Sequence, residues 1–190
     1  MRNGIKQWGW IWDGRTGREH KKIYSPIMSF KCEICGEIHD GWPALTFDSP
    51  LNYSQLNEEE KNTIAELTSD FCTIKYGDQT DRFIRCTLTQ KVNDYDDGLD
   101  YGIWVSLSQK SFDDYRENFD NENHETSYFG YLCNDLPGYP STLNIYTNVY
   151  TQKGDRRPIV VPQETFVHPF VTDYYNGISK IEAEKRIHGI

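Results

Sequence analysis

The chain has 190 residues, enough to bury one hydrophobic core, and it carries 20 Lys and Arg against 29 Asp and Glu. The resulting charge of −9 repels phosphate backbones, so composition argues against nucleic-acid binding. The sequence has no apolar run of about 18 residues that could span a membrane and no signal pattern, and its five cysteines are an odd number for a disulfide framework. We therefore expect a reduced, cytoplasmic protein that does not bind membranes.

Residues 1–28 differ from the rest of the chain in charge and in aromatic pattern. They contain six Lys or Arg and two Asp or Glu, whereas residues 29–190 contain 14 basic and 27 acidic residues. Three tryptophans alternate with other residues between positions 8 and 12, which is typical of a short strand at a sheet edge. We predict an arm at 1–28 and one domain at 29–190. The arm is either an aromatic, basic surface for a partner or an extension upstream of a natural start at Met28.

The stretch FKCEICGEIHD, residues 30–40, has the spacing of a metal site. Cys32 and Cys35 are separated by two residues, Gly36 follows the second cysteine, and His39 comes four residues after it. Two thiolates at this spacing can bind one tetrahedral metal from a tight turn, and glycine allows the backbone to turn back toward sulfur. The sequence therefore predicts a zinc-knuckle-like turn in which Cys32, Cys35 and His39 are three zinc ligands.

The region that follows is predicted to contain mostly strands. Asn57 is a good N-cap before three glutamates, which indicates a helix that ends near residues 68–70. Period-two patterns, with Cys86 and Trp104 expected in the core, predict the strands. These strands lie at 42–47, 71–76, 82–92 and 101–107, with an acidic loop at 93–100.

The second half adds strands and helices in alternation. Ser108 can cap a helix that carries Phe112, Tyr115 and Phe119 on one side. The predicted strands are 127–133, 142–151 and 158–161, and the predicted helical segments are 164–176 and 179–189. This order favours an α+β fold with a mostly antiparallel central sheet and flanking helices.

Several sequence words resemble those of a bacterial family. The words are FKCEICGEIHDG, SDFCTI, RFIRCTL, YGIWVSLSQKSF, YFGYLCNDLPGYPSTLNI, RRPIVV, HPF and NGIS, running from residue 30 to about residue 179. In this order they resemble the bacterial proteins grouped as domain of unknown function 2199. That family is itself uncharacterised, so the resemblance implies no activity. The chain departs from the family pattern at Tyr131, where Trp is usual, and at 172–175, where the family carries an acidic residue and Gln.

The resemblance bears on the fourth zinc ligand. Cys72 lies in the matched word SDFCTI and is the first choice, and His168 is the second. Four protein ligands would make the site closed and structural, whereas three ligands and a water would make it catalytic. His168 could instead bind a ligand or cap the C-terminal helical segment.

Three further residues are candidates for binding, and no catalytic residue is predicted. Asp135, Tyr139 and Arg157 lie in matched words beside turn residues, where exposed polar groups often serve binding. We therefore expect a binding protein with a structural zinc, whose partner is a basic protein or a small ligand. One version is an acidic immunity or antitoxin-like protein that neutralises a basic toxin. The alternatives are a zinc hydrolase, if the metal site is open, and a ligand sensor that uses a Tyr/Trp-rich sheet face.

Overall fold

The computed structural model describes residues 8–13, 18–23, 29–32, 35–93, 95–154 and 156–189. The chain divides into two compact units, residues 1–42 (unit 1) and residues 43–190 (unit 2). The predicted end of the arm, at residue 28, lies outside the described residues, so the arm and the domain at 29–190 stay predictions.

Unit 1 contains two β-hairpins in its described part. Strand β1 (Trp8–Asp13) pairs antiparallel with β2 (Arg18–Ile23), so the strand predicted from the alternating tryptophans is confirmed. Strand β3 (Ser29–Lys31) pairs antiparallel with β4 (Ile38–Asp40), and the Cys-x-x-Cys segment connects them. The two hairpins belong to separate sheets.

Unit 2 contains eight strands and five helices within its described residues. The helices are α1 (Leu51–Ser54), α2 (Glu58–Thr63), α3 (Gln109–Glu117), α4 (Pro169–Asn176) and α5 (Lys180–His188). The strands are β5 (Leu45–Thr46), β6 (Ala65–Leu67), β7 (Phe71–Tyr76), β8 (Gln79–Val92), β9 (Tyr95–Leu107), β10 (Ser127–Leu132), β11 (Tyr146–Tyr150) and β12 (Ile159–Pro162). None of these helices is both long enough and apolar enough to cross a membrane.

Five of these strands close into a barrel. Neighbouring strands from β8 to β12 pair antiparallel, and β12 returns to β8 by a parallel pairing of Ile159 with Thr87. The Thr87 N–H donates to the Pro158 carbonyl at 2.9 Å, which closes the ring. The predicted α+β class and antiparallel pairing are confirmed, but the sheet is a closed barrel rather than a plain antiparallel sheet. Closure removes the exposed edges that β8 and β12 would otherwise have there.

Alternating side chains of β8 and β9 fill the barrel. Ile84, Cys86 and Leu88 on β8 are fully buried, as are Ile103 and Val105 on β9. The predicted burial of Cys86 is therefore confirmed.

A smaller hydrophobic cluster lies beside the barrel, in the part of unit 2 that contains α1 and α2. Trp104 is fully buried there, and its Nε1–H donates to the Phe47 carbonyl at 3.0 Å, so its predicted core position is confirmed. The buried members of the cluster are Cys72, Ile74, Phe83, Trp104 and Cys133.

Three predicted boundaries are wrong, each because a non-local contact or the backbone decides it. Helix α2 begins after the Asn57 cap as predicted but ends at Thr63, since the next residues pair with β7 as β6. The predicted loop at 93–100 largely belongs to β9. The strand predicted from residue 142 begins only at Tyr146, because Asn144 has a left-handed backbone with φ of 63°.

Candidate metal centre

The two cysteines of the predicted zinc site lie at the end of the β3–β4 hairpin. The Cys32 N–H donates to the Glu37 carbonyl at 2.9 Å, which extends the strand pairing to the first cysteine. The Gly36 N–H donates back to the Cys32 carbonyl, also at 2.9 Å, and closes the turn. Cys32 is buried and Cys35 is exposed, and neither takes part in a disulfide. The chain therefore forms the tight Cys-x-x-Cys hairpin that the spacing predicted.

Gly36 is required by backbone conformation rather than by lack of room. Its φ is 77°, in the left-handed region that glycine adopts without strain. A Cβ placed at this position would meet no atom of the described residues within 4 Å. The turn that follows Cys35 therefore depends on a residue with access to positive φ.

Helix α5 in unit 2 ends in a histidine. Ser179 caps its first turn, because its hydroxyl accepts the Glu182 N–H at 3.2 Å, and Gly189 ends it with a φ of 69°. Both end signals were predicted from the sequence, and both are confirmed. His188 is the last helical residue and is exposed.

Within unit 1, the Cys32 and Cys35 sulfur atoms lie within 4.8 Å of each other, close enough to bind one metal ion. Thiolates are ligands that zinc prefers, and tetrahedral zinc has room for two ligands more.

The other predicted ligands have different environments. The side chain of His39 lies outside the described residues, so its predicted role is untested. Cys72 is fully buried on β7 among Ile74, Phe83 and Trp104, and burial raises the pKa of its thiol to about 12. This is the usual environment of a core cysteine. Its role as fourth ligand stays a prediction.

His168 is the N-cap residue of α4. Its Nδ1 accepts the Phe170 N–H at 3.1 Å, as the helix-capping alternative predicted. Its Nε2 is buried and makes no hydrogen bond to any residue that the structure describes. Metal or ligand binding by His168 therefore stays a prediction.

Two of the candidate binding residues are engaged in local structure. The Asp135 carboxylate accepts from the Ser141 hydroxyl at 2.8 Å and from the Thr142 N–H at 2.9 Å, which fixes the following turn. Arg157 donates from Nε to the Asp70 carboxylate at 2.7 Å. These contacts use part of each side chain, and binding by either residue stays a prediction.

Tyr139 belongs to a buried polar network that sequence reasoning otherwise missed. Its hydroxyl accepts from Gln90 Nε2 at 2.7 Å and from Arg186 Nη1 at 2.8 Å, and donates to Asp173 Oδ2 at 3.0 Å. Arg186, only 5% exposed, also donates to Gln90 Oε1 at 2.9 Å and lies over the Tyr139 ring at 4.1 Å. We call these residues, with Glu182, the Arg186 network. It fastens α5, the helix that ends in His188, to β8 and α4.

The comparisons with known proteins identify a family but no activity. No curated protein and no solved structure matches the chain. A family model described as an uncharacterised protein conserved in bacteria (DUF2199) matches residues 31–178. The match covers both cysteines of the hairpin and the whole barrel, whereas His188 lies beyond its end. The chain therefore belongs to the uncharacterised bacterial family DUF2199.

Proposed function

We propose that this chain is a zinc-stabilised binding domain in which Cys32, Cys35 and His39 hold the metal. The observation that carries the proposal is the Cys-x-x-Cys hairpin, whose two sulfur atoms lie within 4.8 Å of each other. Thiolate and imidazole ligands select zinc over magnesium or calcium, which prefer oxygen.

The size of unit 1 also supports a structural metal. It comprises residues 1–42, and folds of about 40 residues or fewer usually need a disulfide, a metal or a partner. Zinc binding would therefore supply folding free energy that a small hydrophobic core cannot supply alone.

The experiment is elemental analysis of chelator-free, reduced protein and of its ligand variants. We expect one zinc per chain in the wild type, loss of zinc in Cys32→Ser and Cys35→Ser, and weaker retention in His39→Ala. Cys133→Ala and His124→Asn are matched controls at positions that are not proposed as ligands, and they should retain zinc. Wild-type protein without zinc, or full occupancy in Cys32→Ser, would contradict the proposal.

The same analysis identifies the fourth ligand. Loss of zinc in Cys72→Ser or in His168→Ala, with the fold retained, would assign that residue and make the site closed. Cys72→Ser needs a far-UV circular dichroism spectrum beside it, because Cys72 is fully buried.

For the binding function we propose a basic protein partner, as an immunity or antitoxin-like protein would have. The support is charge: residues 29–190 carry 27 acidic and 14 basic side chains. Such a field attracts a basic partner and speeds its association. The test is calorimetric titration with the basic product of an adjacent gene. We expect tight binding at low salt that weakens at high salt, and absence of binding at low salt would contradict this partner.

A zinc hydrolase is the second candidate, and one observation favours it. Cys72, the first choice for the fourth ligand, is fully buried in the hydrophobic cluster of unit 2, and without it Cys32, Cys35 and His39 leave one zinc position for a water. A zinc-bound water is acidic enough to act as a nucleophile near neutral pH. The test is hydrolysis of a p-nitrophenyl ester by zinc-loaded protein. We expect turnover that is lost in Cys32→Ser, and no turnover above free zinc would exclude the reaction for this probe.

A further inference from the structure

A cavity of about 450 Å³ lies in unit 2 between α3 and the loop that connects β11 to β12. This volume is within the range of small-molecule sites. Its walls carry three basic side chains, Arg156, Arg157 and His124, and two aromatic side chains, Tyr115 and Phe119. All of its lining residues belong to unit 2, and ligand binding here requires no metal at the cysteine hairpin.

The loop wall of the cavity is held by hydrogen bonds to the loop between α3 and β10. The Thr151 hydroxyl donates to the His124 carbonyl at 2.6 Å and accepts the Thr126 N–H at 2.7 Å. The Gly154 N–H donates to the Glu122 carbonyl at 3.0 Å. These bonds position the arginine-bearing segment before any ligand arrives, which lowers the entropy cost of binding.

The cavity is locally cationic in an acidic protein. Among the residues that the structure describes, Asp70 is the one carboxylate that lines it, against Arg156 and Arg157. Arg157 donates from Nε to Asp70 at 2.7 Å, and Arg156 donates from Nε to the Lys153 carbonyl at 3.1 Å. The terminal Nη groups of both arginines make no hydrogen bond to another described residue. Two guanidinium groups can therefore donate to an anion while Asp70 keeps Arg157 in place.

The opposite wall is aromatic. The Tyr115 and Phe119 rings lie edge to face with centroids 5.8 Å apart, and Phe71 packs against Phe119 at 5.0 Å. Tyr115 is buried, whereas Phe119 is 43% exposed. A large aromatic side chain left this exposed beside a cavity offers a flat ligand an apolar contact surface.

We infer that this cavity binds a small organic anion with a flat apolar body and one phosphate or carboxylate group. The Nη groups of Arg156 and Arg157 receive the anionic group, and the body packs against Tyr115 and Phe119. Neither wall alone would select this ligand: inorganic phosphate lacks the apolar contact, and an uncharged aromatic lacks the ionic one.

The test is calorimetric titration of the full chain with phenyl phosphate and with benzoate, whose relative affinities separate the phosphate and carboxylate sources. Inorganic phosphate and benzyl alcohol are the two half-ligands, and both should bind more weakly. We expect Arg156→Gln and Arg157→Gln each to weaken binding by about tenfold or more, since each loses charge-assisted hydrogen bonds. Phe119→Ala should weaken phenyl phosphate but leave inorganic phosphate unchanged.

The matched control is Arg116→Gln, which removes the same charge from an exposed position on α3 outside the cavity. It should change affinity by less than about twofold, because long-range charge effects are screened. Arg156→Gln keeps the test valid if loss of the Asp70 contact unfolds Arg157→Gln. The inference is overturned if neither aromatic anion binds, or if Arg156→Gln binds as tightly as the wild type.

Discussion

Replacement of Arg186 by methionine should destabilise unit 2 by about 3 kcal/mol. Methionine keeps the length and apolar part of the side chain but removes its hydrogen bonds to Gln90 and Tyr139, at 2.9 and 2.8 Å, and to Glu182 at 3.2 Å. Breaking a buried charged contact by removing one partner costs about 3–5 kcal/mol. The lower end applies here, because Glu182 is 38% exposed and can be rehydrated, and Gln90 keeps the Tyr101 hydroxyl at 3.3 Å.

The assay is urea unfolding followed by circular dichroism, with two comparison variants. Arg186→Lys keeps the charge but lacks the planar guanidinium group with its several N–H donors. We therefore expect about half of the loss in the free energy of unfolding that Arg186→Met causes. Lys185→Met makes the same kind of change at an exposed position of α5 and should stay within about 0.5 kcal/mol of the wild type. A loss below about 1 kcal/mol in Arg186→Met would refute the reasoning that the Arg186 network holds α5 to the barrel.

Three further predictions follow from backbone geometry and charge. Gly130→Ala should lower the free energy of unfolding in urea by about 3 kcal/mol, because its Cβ would lie 2.7 Å from a main-chain oxygen of β9. Gly154→Ala is the control: a Cβ there would lie in open space, so the φ of 75° should lower the free energy of unfolding by only about 1 kcal/mol. Gly36→Ala should lower zinc affinity about fivefold through strain at φ of 77°, and unchanged affinity in a chelator competition would contradict this. Burial opposes ionisation of Asp70, but its hydrogen bonds, mainly from Arg157, hold its pKa below the ordinary 3.8. Asp70→Asn should therefore be less stable than the wild type at neutral pH. The difference in the free energy of unfolding should persist down to about pH 4 and vanish as pH falls through the lowered pKa of Asp70. A difference that does not depend on pH would contradict the claim that the Asp70 charge stabilises the fold.

Local signals in the sequence predicted most elements of unit 2. Asn57, Ser108 and Ser179 each accept the backbone N–H of the residue three positions further along the chain, as their side-chain chemistry predicts. The alternating burial along β8 could likewise be predicted from the sequence, since successive side chains of a strand point to opposite faces of the sheet.

Long-range contacts decided what the sequence could not predict. The barrel closes through Thr87 and Pro158, 71 residues apart, and nothing local to either strand requires that pairing. Residues 65–67 look helical beside α2 but gain more from pairing with β7, so the helix ends early. Tertiary pairing thus overrode local preference in both places.

The functional residues also divide into those that local sequence signals predict and those that long-range contacts bring together. Cys32 and Cys35 were predicted because both residues lie in one turn, where their sulfur atoms are close together. The Arg186 network was missed, since Arg186 and Gln90 are 96 residues apart. Spacing rules find ligands on one hairpin, and only a fold can join side chains from distant segments.

The most direct test of the account is zinc K-edge X-ray absorption on the purified protein, which counts sulfur and nitrogen ligands from their distances. The account predicts two sulfurs at about 2.3 Å and at least one nitrogen at about 2.0–2.1 Å. It also predicts one nitrogen fewer in His39→Ala. A first shell without sulfur, or one that His39→Ala leaves unchanged, would contradict the claim that Cys32, Cys35 and His39 hold the metal.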